Sequence, residues 1–291
     1  MTIANTLGMG LSGQPYTGPD IGGFSGNPDA ELYLRWFQMA TFLPFFRTHS
    51  AVGTARREPW VYGEPFTSII RSFLRLRYRL LPYFYSLAWQ THKTGVPIIR
   101  PLFWNHPKVQ NLWEIDDAFL LGDNLLVAPV LQADAHQRTI TLPPGTWVDF
   151  WTGKNFQGGS QVEAPVSLDT IPLLVRAGAI LPLALDTGLE LSIYPMPFEM
   201  DQVTPALALY SDSGDGYDEW RIDQFTQERQ SNNLTIRWQQ EGEYPYPYAV
   251  TQLNMPGLQL HQAWLDGSLL DSTPKITIHQ PFHTLKFEAK T

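Results

Sequence analysis

A carboxylate in a glycine-rich loop is the side chain of this sequence best placed for chemistry. Asp20 lies in the segment GPDIGGF, at the end of a short strand predicted within residues 10–23, and glycines beside it tolerate a close backbone approach to a ligand. Because the C-terminal ends of barrel strands face the active site, Asp20 is predicted to be a site residue. The alternative is a carboxylate that accepts backbone N–H groups and ties the loop. Phe24, in the same loop, is either a platform for a sugar ring or a lid over the core.

A histidine follows in the segment FFRTHS, just after a predicted helix. It is His49, and Arg47 precedes it by two residues. From the pattern alone, His49 is either a ligand-binding residue or a structural one, and both interpretations stay open. His279 and His283 are four residues apart but flank a proline, so we do not expect a zinc pair.

Motifs and composition exclude several other classes of protein. The run YSDSGDGYDEW does not fit the EF-hand register and predicts a polar hairpin turn. We predict no metal site and no cofactor. No cysteine occurs, which excludes disulfides and thiolate chemistry. Twenty Lys+Arg against 28 Asp+Glu argue against nucleic acid as a partner, and no apolar run is long enough to predict a membrane partner. The N-terminus does not resemble a secretory signal, so a cytoplasmic location is favoured and the compartment is left open.

The pattern along the chain changes from α/β to all-β. A first helix is predicted from Asn27 or Asp29 to Leu43, and a second from about residue 64 to about residue 94 with a kink at Pro82. Two apolar runs, residues 96–104 and 119–130, read as strands of a parallel α/β unit. About 160 residues of short strands and turns follow, which predict two β-sandwiches.

Several strings of residues resemble one family closely. The segments GPDIGGFSGNPDAELYLRWFQMATFLPFFRTHS, FLLGDNLLVAPV and IPLLVRAGAILPL resemble the C-terminal part of glycoside hydrolase family 31, the α-glucosidase and α-xylosidase family. The resemblance implies α/β plus all-β architecture: the C-terminal part of a (β/α)8 TIM barrel over residues 1–128, a proximal β-sandwich over 129–200 and a distal one over 201–291. It also implies a retaining mechanism, which uses two carboxyl groups about 5–5.5 Å apart.

The resemblance also assigns roles to individual residues. Asp20 and Phe24 match the family's GxDIxGF loop, and His49 matches the histidine of its R-x-H motif, which contacts sugar hydroxyls in the −1 subsite. Arg47 is then a supporting residue. The family's nucleophile and acid/base lie in W-x-D-x-N-E and G-D-N motifs, and neither motif is in position here. The GDN at residues 122–124 belongs to a later segment. No catalytic residue is therefore assigned, and both are expected upstream of Met1.

Three functions are compatible with these observations. The first is a C-terminal fragment of a retaining α-glycosidase, inactive alone, whose partners are an α-linked oligosaccharide or α-glucoside and the missing N-terminal part of the barrel. The second is a non-catalytic carbohydrate-binding or scaffold module. The third is a complete small enzyme that pairs Asp20 with Asp116 or Asp117, which is disfavoured because two βα units cannot close a barrel. An open barrel should also aggregate, exchange segments or require an upstream fragment.

Overall fold

The computed structural model describes residues 2–197, 203–214, 218–256, 260–270, 275–279 and 281–289. It divides into two compact units, one formed by residues 1–78, 90–145 and 156–174, and the other by residues 79–89, 146–155 and 175–291. The helices are α1 Thr2–Leu11, α2 Ala30–Ala40, α3 Phe66–Arg79 and α4 Leu81–Thr94, with a 3₁₀ turn at Gln110–Leu112.

Strands dominate the second half of the chain. They are β1 Ile99–Arg100, β2 Phe119–Leu121, β3 Leu125–Val127, β4 Gln137–Thr141, β5 Thr146–Asp149, β6 Asn155–Gln157, β7 Gln161–Pro165, β8 Leu173–Arg176, β9 Ile180–Leu185, β10 Gly188–Ile193, β11 Val203–Asp212, β12 Trp220–Gln230, β13 Asn233–Gly242, β14 Thr251–Asn254, β15 Leu260–Leu265, β16 Ser268–Leu270, β17 Lys275–Ile278 and β18 Thr284–Ala289. No helix in the described ranges is long and apolar enough to cross a membrane.

Helix α2 confirms the first predicted helix. It begins after Asp29, whose side chain caps it by accepting a hydrogen bond from the Leu32 backbone N–H at 2.8 Å. Such a cap stabilises a helix by about 1 kcal/mol. The helix ends at Ala40, earlier than predicted, and Thr41 is its C-cap. Because α2 follows directly on the loop that carries Asp20 and Phe24, the cap fixes where that loop ends.

The second predicted helix is present as two helices. Helix α3 ends at Arg79 and α4 begins at Leu81, so the interruption lies two residues before Pro82. Proline fits the first turn of a helix, where the backbone N–H would have no intrahelical partner. The single helix with a kink at Pro82 is therefore not observed, because the chain breaks into two helices at Leu80.

The start of the chain differs from its prediction. Residues 10–23 were expected to hold a short buried strand, but α1 extends to Leu11 and the segment contains only one isolated bridge, at Asp20. Ile3, Thr6, Leu7 and Gly10 are buried at the spacing of one helix face. Tertiary burial of this face offsets the low helix propensity of the glycines within it.

The two apolar runs do not form a parallel unit. Strand β1 pairs antiparallel with β2, and β2 pairs antiparallel with β3. The run over residues 119–130 is thus a hairpin, because the turn Gly-Asp-Asn reverses the chain and Gly122 adopts a φ of +59°. The parallel prediction was wrong here, and no closed barrel exists within the described residues.

The second unit contains a two-sheet sandwich. One sheet has the strand order β17-β14-β10-β9 and the other the order β11-β12-β13-β18-β15-β16. Side chains of both sheets form one buried cluster, which includes Leu191, Leu253 and Ile276 from the first sheet and Phe225, Ile236 and Phe287 from the second. Strand β10 pairs in parallel with β14, so strands before and after residue 200 share a sheet. The limits predicted for the proximal and distal domains stay predictions.

Candidate functional site

The loop that carries Asp20 lies beside the loop that carries His49. The backbone of Asp20 forms a parallel bridge with that of Arg47, and the Ile21 N–H donates to the Arg47 carbonyl at 3.0 Å. Ile21 is fully buried, which anchors this crossing in the core of the first unit. Two segments distant in sequence thereby present their side chains together.

An ion pair joins the two loops. The Arg47 Nε donates to the Asp20 Oδ1 at 2.7 Å, with the Asp20 side chain 15% exposed and that of Arg47 50% exposed. The Arg47 guanidinium also lies 5.1 Å from the centroid of the Phe45 ring. An ion pair this accessible contributes about 0–1 kcal/mol to stability. Its main effect is to orient the carboxylate of Asp20 beside the backbone crossing.

Phe24 and His49 form the second contact between the loops. Their rings are stacked, with centroids 5.6 Å apart and planes at 30°, and the Phe24 carbonyl accepts a hydrogen bond from the Ala51 N–H at 2.8 Å. Phe24 is 55% exposed and His49 is exposed as well. This exposure favours a platform over a lid on the core. We call the surface formed by Asp20, Phe24, Arg47 and His49 the shelf.

At two positions of this loop a side chain larger than that of glycine would clash with a neighbouring residue. At Gly18 a Cβ would lie 2.3 Å from the Phe45 carbonyl oxygen, so any side chain would push the loops apart. Gly22 has a φ of +82°, and a Cβ there would lie 3.0 Å from the Tyr33 ring. The close approach of the loops, and with it the shelf, depends on these positions.

Two acidic residues outside the shelf, Asp117 and Asp123, are engaged in other contacts. Asp123, the aspartate of the GDN turn, accepts hydrogen bonds from Arg100 and from the Asn105 amide, the latter at 2.8 Å. Asp117 forms an ion pair of 2.7 Å with Arg138. Asp123 therefore connects its hairpin turn to the buried side chain of Arg100.

Asp116 lines a cavity whose lining includes none of the four shelf residues. This cavity has a volume of about 450 Å³, and Asp29 and Glu31 line it together with Asp116, whereas Asp20 is not among the lining residues. The structure therefore gives no support to a catalytic pair of Asp20 with Asp116 or Asp117. No group of three or more His, Asp or Glu side chains that could hold a metal ion occurs in the described ranges.

The acidic turn in the second unit is partly described. The Tyr85 hydroxyl donates to both carboxylate oxygens of Asp212, at 2.7 and 2.8 Å, and the Gly214 N–H donates to the same carboxylate at 2.9 Å. Burial raises the pKa of Asp212, but hydrogen bonds from Tyr85, Tyr210 and Gly214 outweigh it and hold the pKa below its ordinary value. Strands β11 and β12 on the two sides of the turn pair antiparallel. Asp215 lies outside the described residues.

The shelf presents a carboxylate, an imidazole and an exposed aromatic ring, which are groups that can form hydrogen bonds to a sugar and stack on its ring. Residues 1–87 match the Glycosyl hydrolases family 31 TIM-barrel domain, and residues 95–181 match the Glycosyl hydrolase family 31 C-terminal domain. The chain belongs to glycosyl hydrolase family 31. The family resemblance expected from the sequence is thus confirmed.

Individual relatives agree with this family. Alpha-glucosidase 2 of Bacillus thermoamyloliquefaciens is 40% identical over 183 residues, which are 63% of this chain and 23% of that protein. Neutral alpha-glucosidase C of Mus musculus is 36% identical over 271 residues, which are 89% of this chain and 30% of that protein. The chain therefore spans less than a third of the length of either relative.

A solved structure has the same fold. The Flavobacterium johnsoniae GH31 dextranase complexed with glucose superimposes with a TM-score of 0.87 at 26% identity, covering 99% of this chain and 42% of the dextranase chain. This likeness supports a TIM-barrel fragment followed by β-sandwich structure. The structure brings together the four residues named from the sequence, and their roles in binding stay predictions. No sequence motif marked Arg57, whose buried side chain contacts the loop of Phe24.

Proposed function

We propose that the chain is the C-terminal section of a retaining α-glycosidase, of the α-glucosidase type, that hydrolyses terminal α-linked glucose. The observation that carries the proposal is the shelf itself, in which two loops place Asp20, Phe24 and His49 together on the barrel segment of a family 31 chain. The relatives named above are α-glucosidases, and the dextranase structure contains glucose. Both facts support an α-glucoside or α-linked oligosaccharide as the ligand.

Each shelf residue would make a different contact with one bound sugar. The exposed ring of Phe24 offers an apolar face to the C–H groups of a pyranose. The imidazole of His49 can donate or accept a hydrogen bond with a sugar hydroxyl. Asp20 accepts from Arg47 through Oδ1, which leaves acceptor capacity on its carboxylate for a further hydroxyl. Arg47 orients that carboxylate and is a supporting residue.

The reaction needs more than this shelf. A retaining glycosidase uses one carboxylate as nucleophile and a second carboxyl group as acid and base, about 5–5.5 Å apart. In the shelf Asp20 is the one carboxylate, and its partner is a guanidinium. We propose that the preceding part of the barrel supplies both catalytic carboxylates, so that the chain alone binds sugar but does not cleave it. The preceding part is then its structural partner, because eight strands are needed to close the barrel.

A titration with a simple sugar tests the shelf. We expect methyl α-glucoside and maltose, added to isotope-labelled chain at millimolar concentration, to shift the NMR signals of Phe24 and His49 before others. Phe24→Leu should abolish this response. Trp113→Leu is the matched control, because Trp113 is 53% exposed, close to the 55% of Phe24, and lies outside the shelf. Shifts that survive in Phe24→Leu, or that vanish equally in Trp113→Leu, would contradict the assignment.

A non-catalytic carbohydrate-binding module remains the second candidate function. The exposure of Phe24 and His49 favours it, since both side chains can reach a sugar without any catalytic group. The two functions differ in one respect, which is whether the chain restores turnover when it is joined to the upstream part of a family 31 barrel.

A further inference from the structure

We infer that Arg57 is a positioning residue that holds the Phe24 loop in the shape the sugar shelf requires. The consequence for sugar binding rests on the proposed function, whereas the effect on the loop does not. Arg57 is outside the shelf and outside every motif used above. It is an arginine whose side chain is only 6% exposed, although arginine is rarely buried without a specific partner.

The guanidinium of Arg57 contacts the loop on both sides of Phe24. Its Nη1 donates to the Gly22 carbonyl at 3.2 Å, and its Nη2 donates to the Gly26 carbonyl. These carbonyls lie two residues before and two residues after Phe24. The planar fork of a guanidinium has donors in fixed directions, so it can hold two acceptors at a fixed separation. Arg57 thereby closes the base of the Phe24 loop.

The Phe24 loop contains three glycines, so contacts from outside the loop are needed to hold it in one conformation. Gly22, Gly23 and Gly26 adopt φ values of +82°, +83° and +77°. Glycine makes these conformations accessible but also loses the most conformational entropy when it is fixed in one of them. Other contacts hold the outer side of the loop, such as the hydrogen bond of 2.9 Å from the Ala55 N–H to the Asn27 side chain. Arg57 is the cation that holds its base.

Arg57 is itself held from the opposite side. Its carbonyl accepts a hydrogen bond of 2.7 Å from the hydroxyl of Tyr33, a fully buried residue of α2. Burial raises the pKa of Tyr33, so the phenol keeps its proton and stays a donor. Gly22 also packs against the Tyr33 ring. The core of α2, Arg57 and the Phe24 loop therefore form one connected set of contacts.

No carboxylate among the described residues forms an ion pair with the guanidinium of Arg57, whereas its neighbour Arg56 pairs with Glu58 at 2.8 Å. Burying a cation against carbonyl dipoles alone is unfavourable compared with leaving it in water. Its donors nevertheless match the two carbonyls that fix the loop. We therefore infer that Arg57 fixes the geometry of the loop and adds little to the stability of the fold.

The ring stack between Phe24 and His49 reports the position of the loop. The two centroids are 5.6 Å apart, a distance at which the Phe24 ring current displaces the NMR signals of the His49 protons. The Phe24→Leu variant gives the reference values without that ring current. The displacement therefore measures loop position in the chain without any sugar.

The test compares Arg57→Gln and Arg57→Lys with Arg56→Gln as the matched control, whose side chain is 77% exposed. In Arg57→Gln we expect the His49 signals to move most of the way to the Phe24→Leu values. Amide exchange at residues 22–26 should rise by more than about tenfold, because Arg57→Gln removes both charge-assisted hydrogen bonds and the loss of one alone gives about tenfold. Arg57→Lys keeps the charge and can reach one carbonyl. Its His49 signals and its amide exchange should therefore lie between those of the unsubstituted chain and those of Arg57→Gln. Arg56→Gln should change neither.

Unchanged His49 signals in Arg57→Lys together with unchanged exchange at residues 22–26 would overturn the inference, even if Arg57→Gln failed to fold. Equal effects in Arg56→Gln would overturn it too. Methyl α-glucoside then separates the two proposals. If the loop loosens in Arg57→Gln but the unsubstituted chain shows no response to the sugar, the positioning role stands and the proposed function fails.

Discussion

Replacing His49 with alanine is expected to lower kcat/KM for p-nitrophenyl α-glucoside by about 10²-fold in a protein that contains the complete barrel. A suitable protein is a chimera that joins the part of Alpha-glucosidase 2 of Bacillus thermoamyloliquefaciens upstream of the matched region to this chain. The imidazole of His49 is held against Phe24, so under the proposed function it would form hydrogen bonds to sugar hydroxyls without the cost of ordering a free side chain. Such bonds strengthen as the sugar approaches the oxocarbenium-like transition state.

The control for this prediction is another exposed histidine. His279 lies at the end of the β17 region and is exposed, so His279→Ala should leave kcat/KM unchanged. A fall of less than about threefold in His49→Ala, which is below the contribution of one ordinary hydrogen bond, would show that His49 does not contact the substrate.

Replacing Asp223 with alanine is expected to lower the free energy of unfolding by about 3–5 kcal/mol. Asp223 is fully buried in the sandwich, where it accepts hydrogen bonds from the Arg221 Nε at 2.8 Å and from the Trp238 indole N–H at 2.7 Å. The alanine variant leaves the buried guanidinium of Arg221 and the indole of Trp238 without their acceptor. Urea unfolding followed by tryptophan fluorescence measures the loss.

An exposed ion pair on the same sheet is the matched control. Arg237 and Glu228 are joined at 2.9 Å with side chains 51% and 21% exposed, so Glu228→Ala should cost about 0–1 kcal/mol. The double variant Arg221→Met with Asp223→Leu removes both buried charges and should be more stable than Asp223→Ala alone. A loss in Asp223→Ala no larger than that in Glu228→Ala would contradict the importance of this buried pair.

Local sequence signals predicted some elements well. Helix α2 was predictable because its apolar spacing and the capping residue Asp29 both lie within one short segment. Helix α1 was not, because its glycines have low helix propensity and the burial of Ile3 and Leu7 outweighs it. The run over residues 119–130 was misread because every residue of its two strands is buried. Such a run has no alternation from which hairpin and parallel strand could be distinguished.

The residues of the shelf could be named from the sequence, but their contacts could not. Asp20, Phe24 and His49 could be named because the residues around them carry the motifs of a family. Their contacts depend on tertiary structure, since the stack of Phe24 on His49 joins positions 25 residues apart. Arg57 carries no pattern that marks it as buried, and its position is evident from its contacts with Gly22, Gly26 and Tyr33.

The most direct test of the proposed function is turnover of p-nitrophenyl α-glucoside by the isolated chain and by the chimera. We expect the isolated chain to release no p-nitrophenol above the blank. The chimera should release it and form a sugar product that retains the configuration at its anomeric carbon. Turnover by the isolated chain that Asp20→Asn abolishes would contradict the proposed function, because this chain would then contain a catalytic carboxylate. A folded but inactive chimera would contradict it as well and would favour the carbohydrate-binding module.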